Sequence, residues 1–254
     1  MRHADLLPPA ETAARPPAAP STRPLRAALA GMPILKGIGK DTLTLLAGAA
    51  ERVEFERGAP VFERGSSPSG LYFVVSGGVK LVALGPDSRT RVVELFEPGG
   101  MFGEIGVFTG AAYRTWTEAI DTSTLIHVRR KQVLAAVDAD HRLATRMLVA
   151  VTARTQRLID SISANGTIAA DVRVAAYLLE LADRAESADG PLVLPASKGT
   201  IASLLNLSQE SLSRVFRRMK DAGLLMVAGR RIRIHDRQRL AELMDRDGCA
   251  AAAL

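Results

Sequence analysis

The hydrophobic and polar positions give the first part of the chain two different periodicities. A short helical pattern runs from Ile34 to about Ala50. Apolar runs such as residues 71–75 and 79–82 then alternate with glycines that recur from Gly58 to Gly100. Short strands joined by tight glycine turns are typical of an antiparallel barrel or roll. The pattern therefore predicts a β-roll as the first folded domain.

A long helix without glycine is predicted from Asp140 to a turn at 165–166. Residues at alternating spacings of three and four form a heptad seam along it, made of Ala144, Leu148, Val151, Thr155, Leu158 and Ile162. Leu143, Met147 and Ile159 lie beside the seam and are expected to face the roll. Two apolar faces favour a dimer joined through Leu148, Val151, Thr155, Leu158 and Ile162, and a helix packed only on its own domain is the simpler alternative.

The remaining pattern predicts a winged helix-turn-helix. An amphipathic helix over 171–184 precedes two helices about three residues apart, at 200–205 and 209–221, and then two strands at 224–227 and 231–234. The hydroxyl of Ser208 is a good N-cap for the second helix, and Gly223 is suited to close it in a left-handed conformation.

The second of these helices has one apolar face and one polar face. Leu212, Val215, Phe216 and Met219 form the apolar stripe, which directs the polar residues outward. Arginine, glutamate and serine are side chains that hydrogen-bond base edges, and further basic residues suit phosphates. The candidate DNA-binding residues are Gln209, Glu210, Ser213, Arg214, Arg217, Arg218 and Lys220. A merely solvated charged face is the alternative.

Charge and composition narrow the class of protein. The formal net charge is +6, and nine of the basic residues lie between Asn206 and Arg239 against three acidic ones, so the positive field belongs to the C-terminal domain. Cys249 is the only cysteine, which excludes an internal disulfide, a structural zinc site and a four-cysteine iron–sulfur cluster. No apolar run is long enough for a membrane span, and a cytoplasmic location is expected.

These patterns together predict an α+β chain in five parts. They are a disordered leader (1–30) rich in proline and alanine, the effector β-roll (31–138), the dimerisation helix (139–166), the winged helix-turn-helix (167–245) and a flexible tail (246–254).

One segment of the roll carries the chemistry of a phosphate site. Gly103 and Glu104 precede Arg114 and Thr115 by about ten residues. A short helix opening at Gly103 presents amides to a phosphate, Arg114 neutralises it, Thr115 adds a donor and Glu104 accepts a ribose hydroxyl. The alternative is an internal ion pair between Glu104 and Arg114 that only stabilises the roll.

These motifs resemble, in order, those of the cyclic-AMP receptor protein/FNR family over roughly residues 34–240. The resemblance implies a jelly-roll-like cyclic-nucleotide-binding domain, a homodimer that binds double-stranded DNA and RNA polymerase as a further partner. Gly103, Glu104, Arg114 and Thr115 match the family's cyclic-nucleotide cassette, and Arg154 falls where a long-helix arginine approaches the ligand. The implied effector is cyclic AMP, cyclic GMP or cyclic di-GMP.

Two positions depart from the cyclic-AMP type. Leu158 and Ile159 stand where the family's cyclic-AMP binders have a Thr-Ser pair against the adenine, so the resemblance supplies no contact to the base. In the recognition helix Gln209 replaces an arginine, while Glu210, Ser213 and Arg214 match the FNR-type pattern E-x-x-S-R. The sequence therefore predicts an FNR-like inverted repeat, TTGAT…ATCAA, as the DNA site.

Two other functions fit parts of the sequence. A heme-dependent sensor of nitric oxide or carbon monoxide within the same family would use His127 and His141 as candidate ligands. A cupin-like metalloenzyme would need histidines and carboxylates that converge in the barrel, and the four histidines show no paired spacing. The sequence is therefore expected to encode a regulator and not an enzyme, with no protein-bound metal.

Overall fold

The computed structural model describes residues 22–85, 88–164, 168–184 and 190–246. Its α-helices are α1 (Thr22–Gly31), α2 (Lys40–Gly48), α3 (Glu104–Thr109), α4 (Arg130–Ala139), α5 (His141–Ala164), α6 (Ala170–Arg184), α7 (Lys198–Leu204), α8 (Gln209–Asp221) and α9 (Arg237–Arg246). Its strands are β1 (Ala50–Phe55), β2 (Pro60–Phe62), β3 (Gly70–Ser76), β4 (Val79–Leu84), β5 (Thr90–Phe96), β6 (Met101–Phe102), β7 (Trp116–Ala119), β8 (Ser123–Arg129), β9 (Leu192–Val193), β10 (Leu225–Ala228) and β11 (Arg231–Ile234).

The predicted β-roll is confirmed as two antiparallel four-stranded sheets. Their strand orders are β1-β8-β3-β6 and β2-β7-β4-β5. The space between them is filled by aromatic rings, with Phe62 stacked on Tyr113 at 3.8 Å between centroids and Tyr72 stacked on Phe102 at 5.2 Å. This aromatic core fixes the separation of the two sheets and holds the segment that carries the predicted cassette.

Helices cover the outer face of the first sheet. Phe73 and Val128 of the sheet pack against Val133 of α4 and against Leu143 and Met147 of α5. The long helix is therefore fixed to the roll by its first two turns, as expected for Leu143 and Met147. Helix α4 was not predicted, because its sequence merges with the end of strand β8 and has no glycine or proline to mark a boundary.

The disordered leader predicted over residues 1–30 is wrong for residues 22–30. Leu25, Ala28 and Leu29 share one face of α1, and Leu29 is fully buried against the helices that cover the roll. A stripe of three residues in a ten-residue helix is too short to stand out beside the prolines, yet burying it contributes stability. Residues 1–21 lie outside the described ranges, as do residues 247–254 of the predicted tail.

The C-terminal unit has the predicted winged helix-turn-helix order. Helix α6 packs against α8 and α9, and the small sheet has the strand order β10-β11-β9. The core joins Leu178, Ile201, Leu212 and Phe216, with Leu240 of the unpredicted helix α9. No helix among the described residues is both long and apolar enough to cross a bilayer.

Candidate functional site

Gly103 starts the short helix α3 in the way the cassette requires. Its φ is +97°, which favours glycine, and a Cβ at this position would lie 2.8 Å from the carbonyl oxygen of Gly70. The neighbouring strand therefore leaves no room for a side chain. This close approach turns the chain and directs Glu104 into the protein.

Glu104 is buried, but its partner is not the residue that the sequence suggested. Its side chain is only 3% exposed, and Oε1 accepts a hydrogen bond from the guanidinium of Arg154 at 2.5 Å. The alternative of an internal Glu104–Arg114 ion pair is therefore wrong. Glu104 Oε2 is also buried and accepts no hydrogen bond within the described part of the chain.

Arg114 lies on the surface, at the rim of the roll. Its side chain is exposed and forms no ion pair or hydrogen bond with the described residues, while Thr115 beside it is half-buried. Two backbone hydrogen bonds, Gly65 N to Tyr113 O and Tyr113 N to Ser66 O, hold this segment in place. Burial raises the pKa of the Tyr113 hydroxyl to about 12, so that it stays protonated at neutral pH.

Arg154 of α5 is held between two acidic side chains. It contacts Glu94 of β5 on one side and Glu104 on the other, and its side chain is 13% exposed. It also lies over the ring of Phe96, 4.9 Å from the centroid. Arg154 thus contacts Glu104 of the predicted cassette, and carboxylates of the same chain already offset its charge.

Glu94 is a component of the site that sequence reasoning missed. Arg157 is a second partner of its carboxylate, at 3.5 Å. Burial raises the pKa of Glu94 above its usual range and Glu104 adds to the rise, while the two arginines oppose it. The sequence does mark Glu94, because it is an acidic residue in the middle of the apolar run Val92–Phe96.

These groups line a large cleft between the roll, α5 and α6. The cleft has a volume of about 1540 Å³, and Glu94, Phe96, Glu104 and Arg154 are among the residues that line it. Val151 and Leu158 contribute to its apolar wall. Of the five predicted cassette residues, Glu104 and Arg154 line the cleft, whereas Gly103, Arg114 and Thr115 do not.

The side chains of the α5 seam differ in their exposure to solvent. Leu148 is 67% exposed and Thr155 is exposed, while Val151 and Leu158 are half-buried along the cleft. Ile159 was expected to face the roll, and this is wrong: it is 50% exposed, because the helix rotates it to the same side as Leu148. The side chain of Ile162 lies outside the described residues.

The two candidate heme ligands, His127 and His141, have different environments. His127 is buried on β8, where Nδ1 is 2.8 Å from Glu51 Oε1 and the ring stacks on Tyr72. A Cβ at Gly70 would lie 2.7 Å from its Nε2, so the ring is closely packed on that side. His141 is exposed at the start of α5. No cluster of three or more metal-binding side chains occurs among the described residues.

The recognition helix α8 has the predicted bounds and cap. Ser208 Oγ accepts a hydrogen bond from Ser211 N at 3.1 Å, and Gly223 beyond the helix has a φ of +71°. The four apolar residues of the predicted stripe are buried. All seven candidate DNA-binding residues are exposed, namely Gln209, Glu210, Ser213, Arg214, Arg217, Arg218 and Lys220.

We expect Ser208→Ala to destabilise the C-terminal unit by about 1 kcal/mol, because an orphan amide of α8 loses its acceptor. Urea unfolding followed by circular dichroism measures this change. Ser213→Ala, an exposed substitution of the same kind within α8, is the control and should cost far less. Equal losses in the two variants would contradict the capping role of Ser208.

The helix-turn-helix rests on the outer edge of the second sheet. Strand β5 is an edge strand, and its Val92 amide donates to Ser203 Oγ of α7 at 2.9 Å. The guanidinium of Arg91 donates to Asn206 Oδ1 at 3.0 Å. Strand β5 therefore contacts the helix-turn-helix and also carries Glu94, which lines the cleft.

Comparisons with known proteins agree with this architecture. Residues 52–140 match the cyclic nucleotide-binding domain, and residues 172–243 match the Crp-like helix-turn-helix domain. The nitrogen fixation regulation protein FixK of Azorhizobium caulinodans is 30% identical over 194 residues, which cover 74% of this chain and 77% of that protein. The chain belongs to the Crp/Fnr family of transcription regulators.

Two further relatives extend the match over most of the chain. The CRP-like cAMP-activated global transcriptional regulator of Mycobacterium tuberculosis is 29% identical over 84% of this chain and 96% of that protein. The structure of FixK2 from Bradyrhizobium japonicum has a TM-score of 0.70 at 28% identity and covers 76% of this chain and 96% of that one. Members of the Crp/Fnr family are regulators and not enzymes.

Proposed function

We propose that this Crp/Fnr regulator binds a cyclic nucleotide in its β-roll and, as a homodimer, an inverted repeat related to TTGAT…ATCAA. Two groups without partners support the effector part, one a guanidinium and the other a single carboxylate oxygen. Arg114 is exposed without an acidic partner in the described ranges, and buried Glu104 keeps one oxygen without a donor. A cyclic nucleotide supplies a phosphate for the first and a ribose hydroxyl for the second. The cAMP-activated relative in M. tuberculosis is consistent with such an effector.

The DNA part of the proposal depends on α8. Its N-terminal half presents Glu210, Ser213 and Arg214 outward, and basic residues follow at Arg217 and Arg218. The residue pattern matches the FNR type, which supports the proposed half-site. A role on RNA polymerase at the target promoters, as activator or repressor, belongs to the same proposal.

Arg114→Ala should abolish nucleotide binding while the roll stays folded, because a phosphate would be desolvated without its counter-charge. The expected loss is about a hundredfold or more in affinity, for whichever of cyclic AMP, cyclic GMP and cyclic di-GMP binds the wild type. Isothermal calorimetry with all three ligands measures it. Arg52→Ala removes an exposed arginine of β1 and is the matched control.

Unchanged affinity in Arg114→Ala would remove Arg114 from the effector site. No binding of any of the three nucleotides to the wild type would overturn the effector proposal itself. In that case an absorption spectrum after addition of heme tests the gas-sensing alternative. The closely packed ring of His127 does little to support that alternative.

A further inference from the structure

Helix α3 presents two large apolar side chains to solvent. Ile105 is 64% exposed and Phe108 is 43% exposed. They lie three residues apart and therefore share one face of the helix, whereas Glu104 and Val107 of the same helix are buried. An exposed apolar face of this kind marks a contact surface when it continues into further exposed apolar residues.

Two observations place α3 beside the middle of α5. Glu104, the first residue of α3, accepts a hydrogen bond from the guanidinium of Arg154. Val107, one turn later, is buried in the same apolar cluster as Met147. Because Met147 and Arg154 are two turns apart on α5, the short helix lies next to that stretch of the long one.

The long helix has exposed apolar residues of its own. Leu148 is 67% exposed and Ile159 is 50% exposed. Neither of them lines the cleft, and the same is true of the two exposed residues of α3. Exposed apolar side chains thus occur on two neighbouring helices, outside the cleft that the roll forms with α5 and α6.

We propose that α3 is part of the dimer interface and that a second copy of this chain covers Ile105 and Phe108. This inference rests on the proposed homodimer. A stable interface needs about 20 residues a side, and the α5 seam has six, of which Val151 and Leu158 are already half-buried in the single chain. Further apolar surface is therefore required, and α3 supplies it next to α5.

The chemistry of α3 favours a second copy over DNA as the occupant. After Glu104 the helix contains no charged residue, so its exposed face offers nothing to a phosphate. Paired α5 helices pack about 8–10 Å apart, which brings the helix of the partner subunit within reach of side chains on an element that itself contacts α5. Since α3 also carries Glu104, the partner subunit contacts the same short helix as the proposed effector.

Sedimentation velocity on the full-length protein tests this inference. Ile105→Asp and Phe108→Asp should each raise the dissociation constant of the dimer at least about tenfold, because a carboxylate would be desolvated in the interface. Ile105→Leu keeps the apolar surface and should dimerise as the wild type does. Leu45→Asp is the matched control, because Leu45 is 40% exposed on α2, a helix that packs against α1 and α4. It should leave the dimer unchanged.

A second measurement needs no charged substitution. Phe108→Cys, combined with Cys249→Ser, should react with a maleimide more slowly in the concentrated dimer than after dilution into monomers. Wild-type dissociation constants in both aspartate variants, or equal thiol rates before and after dilution, would exclude α3 from the interface and leave the homodimer proposal standing. A wild type that stays monomeric at every concentration would overturn both.

Discussion

Val151→Asp or Leu158→Asp should convert the protein from a dimer into monomers. In a two-fold dimer joined along α5, an aspartate at the seam would be desolvated near its own symmetry mate. Burial and repulsion both oppose this, at a combined cost of at least about 4 kcal/mol, or about a thousandfold in the dissociation constant. Both residues are half-buried along the cleft of this single chain, and exposed Leu148 and Ile159 extend the apolar surface beside them.

Sedimentation velocity over a range of protein concentrations measures this change. Ala153→Asp is the matched control, because residue 153 is exposed and lies about 200° around the helix from residue 151. It should leave the dimer intact. Intact dimers of both seam variants would instead show that α5 packs only on its own roll, through Leu143 and Met147.

The sequence predicts an element well where local chemistry marks both of its ends. Helix α8 follows its predicted range because Ser208 caps it, Gly223 ends it and four apolar residues share one side. Helix α1 lacks such marks. Its apolar stripe is buried only because the helices over the roll cover Leu29, and this contact is not visible in the sequence.

In the candidate site too, features set by neighbouring residues were predicted, and contacts between distant residues were not. The helix that opens at Gly103 was predicted from adjacent residues, whereas the burial of Glu104 was not. The pairing of Glu104 with Arg154 joins residues fifty positions apart, and Glu94 enters through the packing of β5 against α5. The sequence suggests Arg114 as the partner of Glu104, because Arg114 is nearer along the chain. Only the folded structure shows that Arg154 is nearer in space.

The predicted position of Ile159 beside the seam is wrong for a related reason. The pattern along α5 assigns Ile159 to the side of the roll, although the buried apolar contacts of α5 with the roll come from its first two turns, at Leu143 and Met147. Farther along, α5 meets the roll through the ion pairs of Arg154 with Glu94 and Glu104, so an apolar residue there has no core to enter. Ile159 remains half-exposed on the outer side.

Arg214→Ala should erase the preference for guanine in each DNA half-site while nonspecific binding stays nearly unchanged. Arg214 is exposed on the N-terminal half of α8, the part of a helix-turn-helix that meets base edges in the major groove. A guanidinium there forms paired hydrogen bonds to guanine O6 and N7, which discriminate by roughly 1–3 kcal/mol per contact. In the free protein its guanidinium contacts Ser211 Oγ at 3.2 Å, a surface contact that DNA readily replaces.

A selection from randomised DNA sites at one fixed salt concentration, with wild type and Arg214→Ala in parallel, measures this preference. Arg218→Ala is the matched control, because a residue that holds phosphates should weaken all sequences alike and flatten the salt dependence. Wild type should select an inverted repeat with TTGAT half-sites about one helical turn apart. Selection of TGTGA half-sites by wild type would mean that Gln209 does not change the specificity, and an unaltered guanine in the Arg214→Ala consensus would assign that contact to another residue of α8.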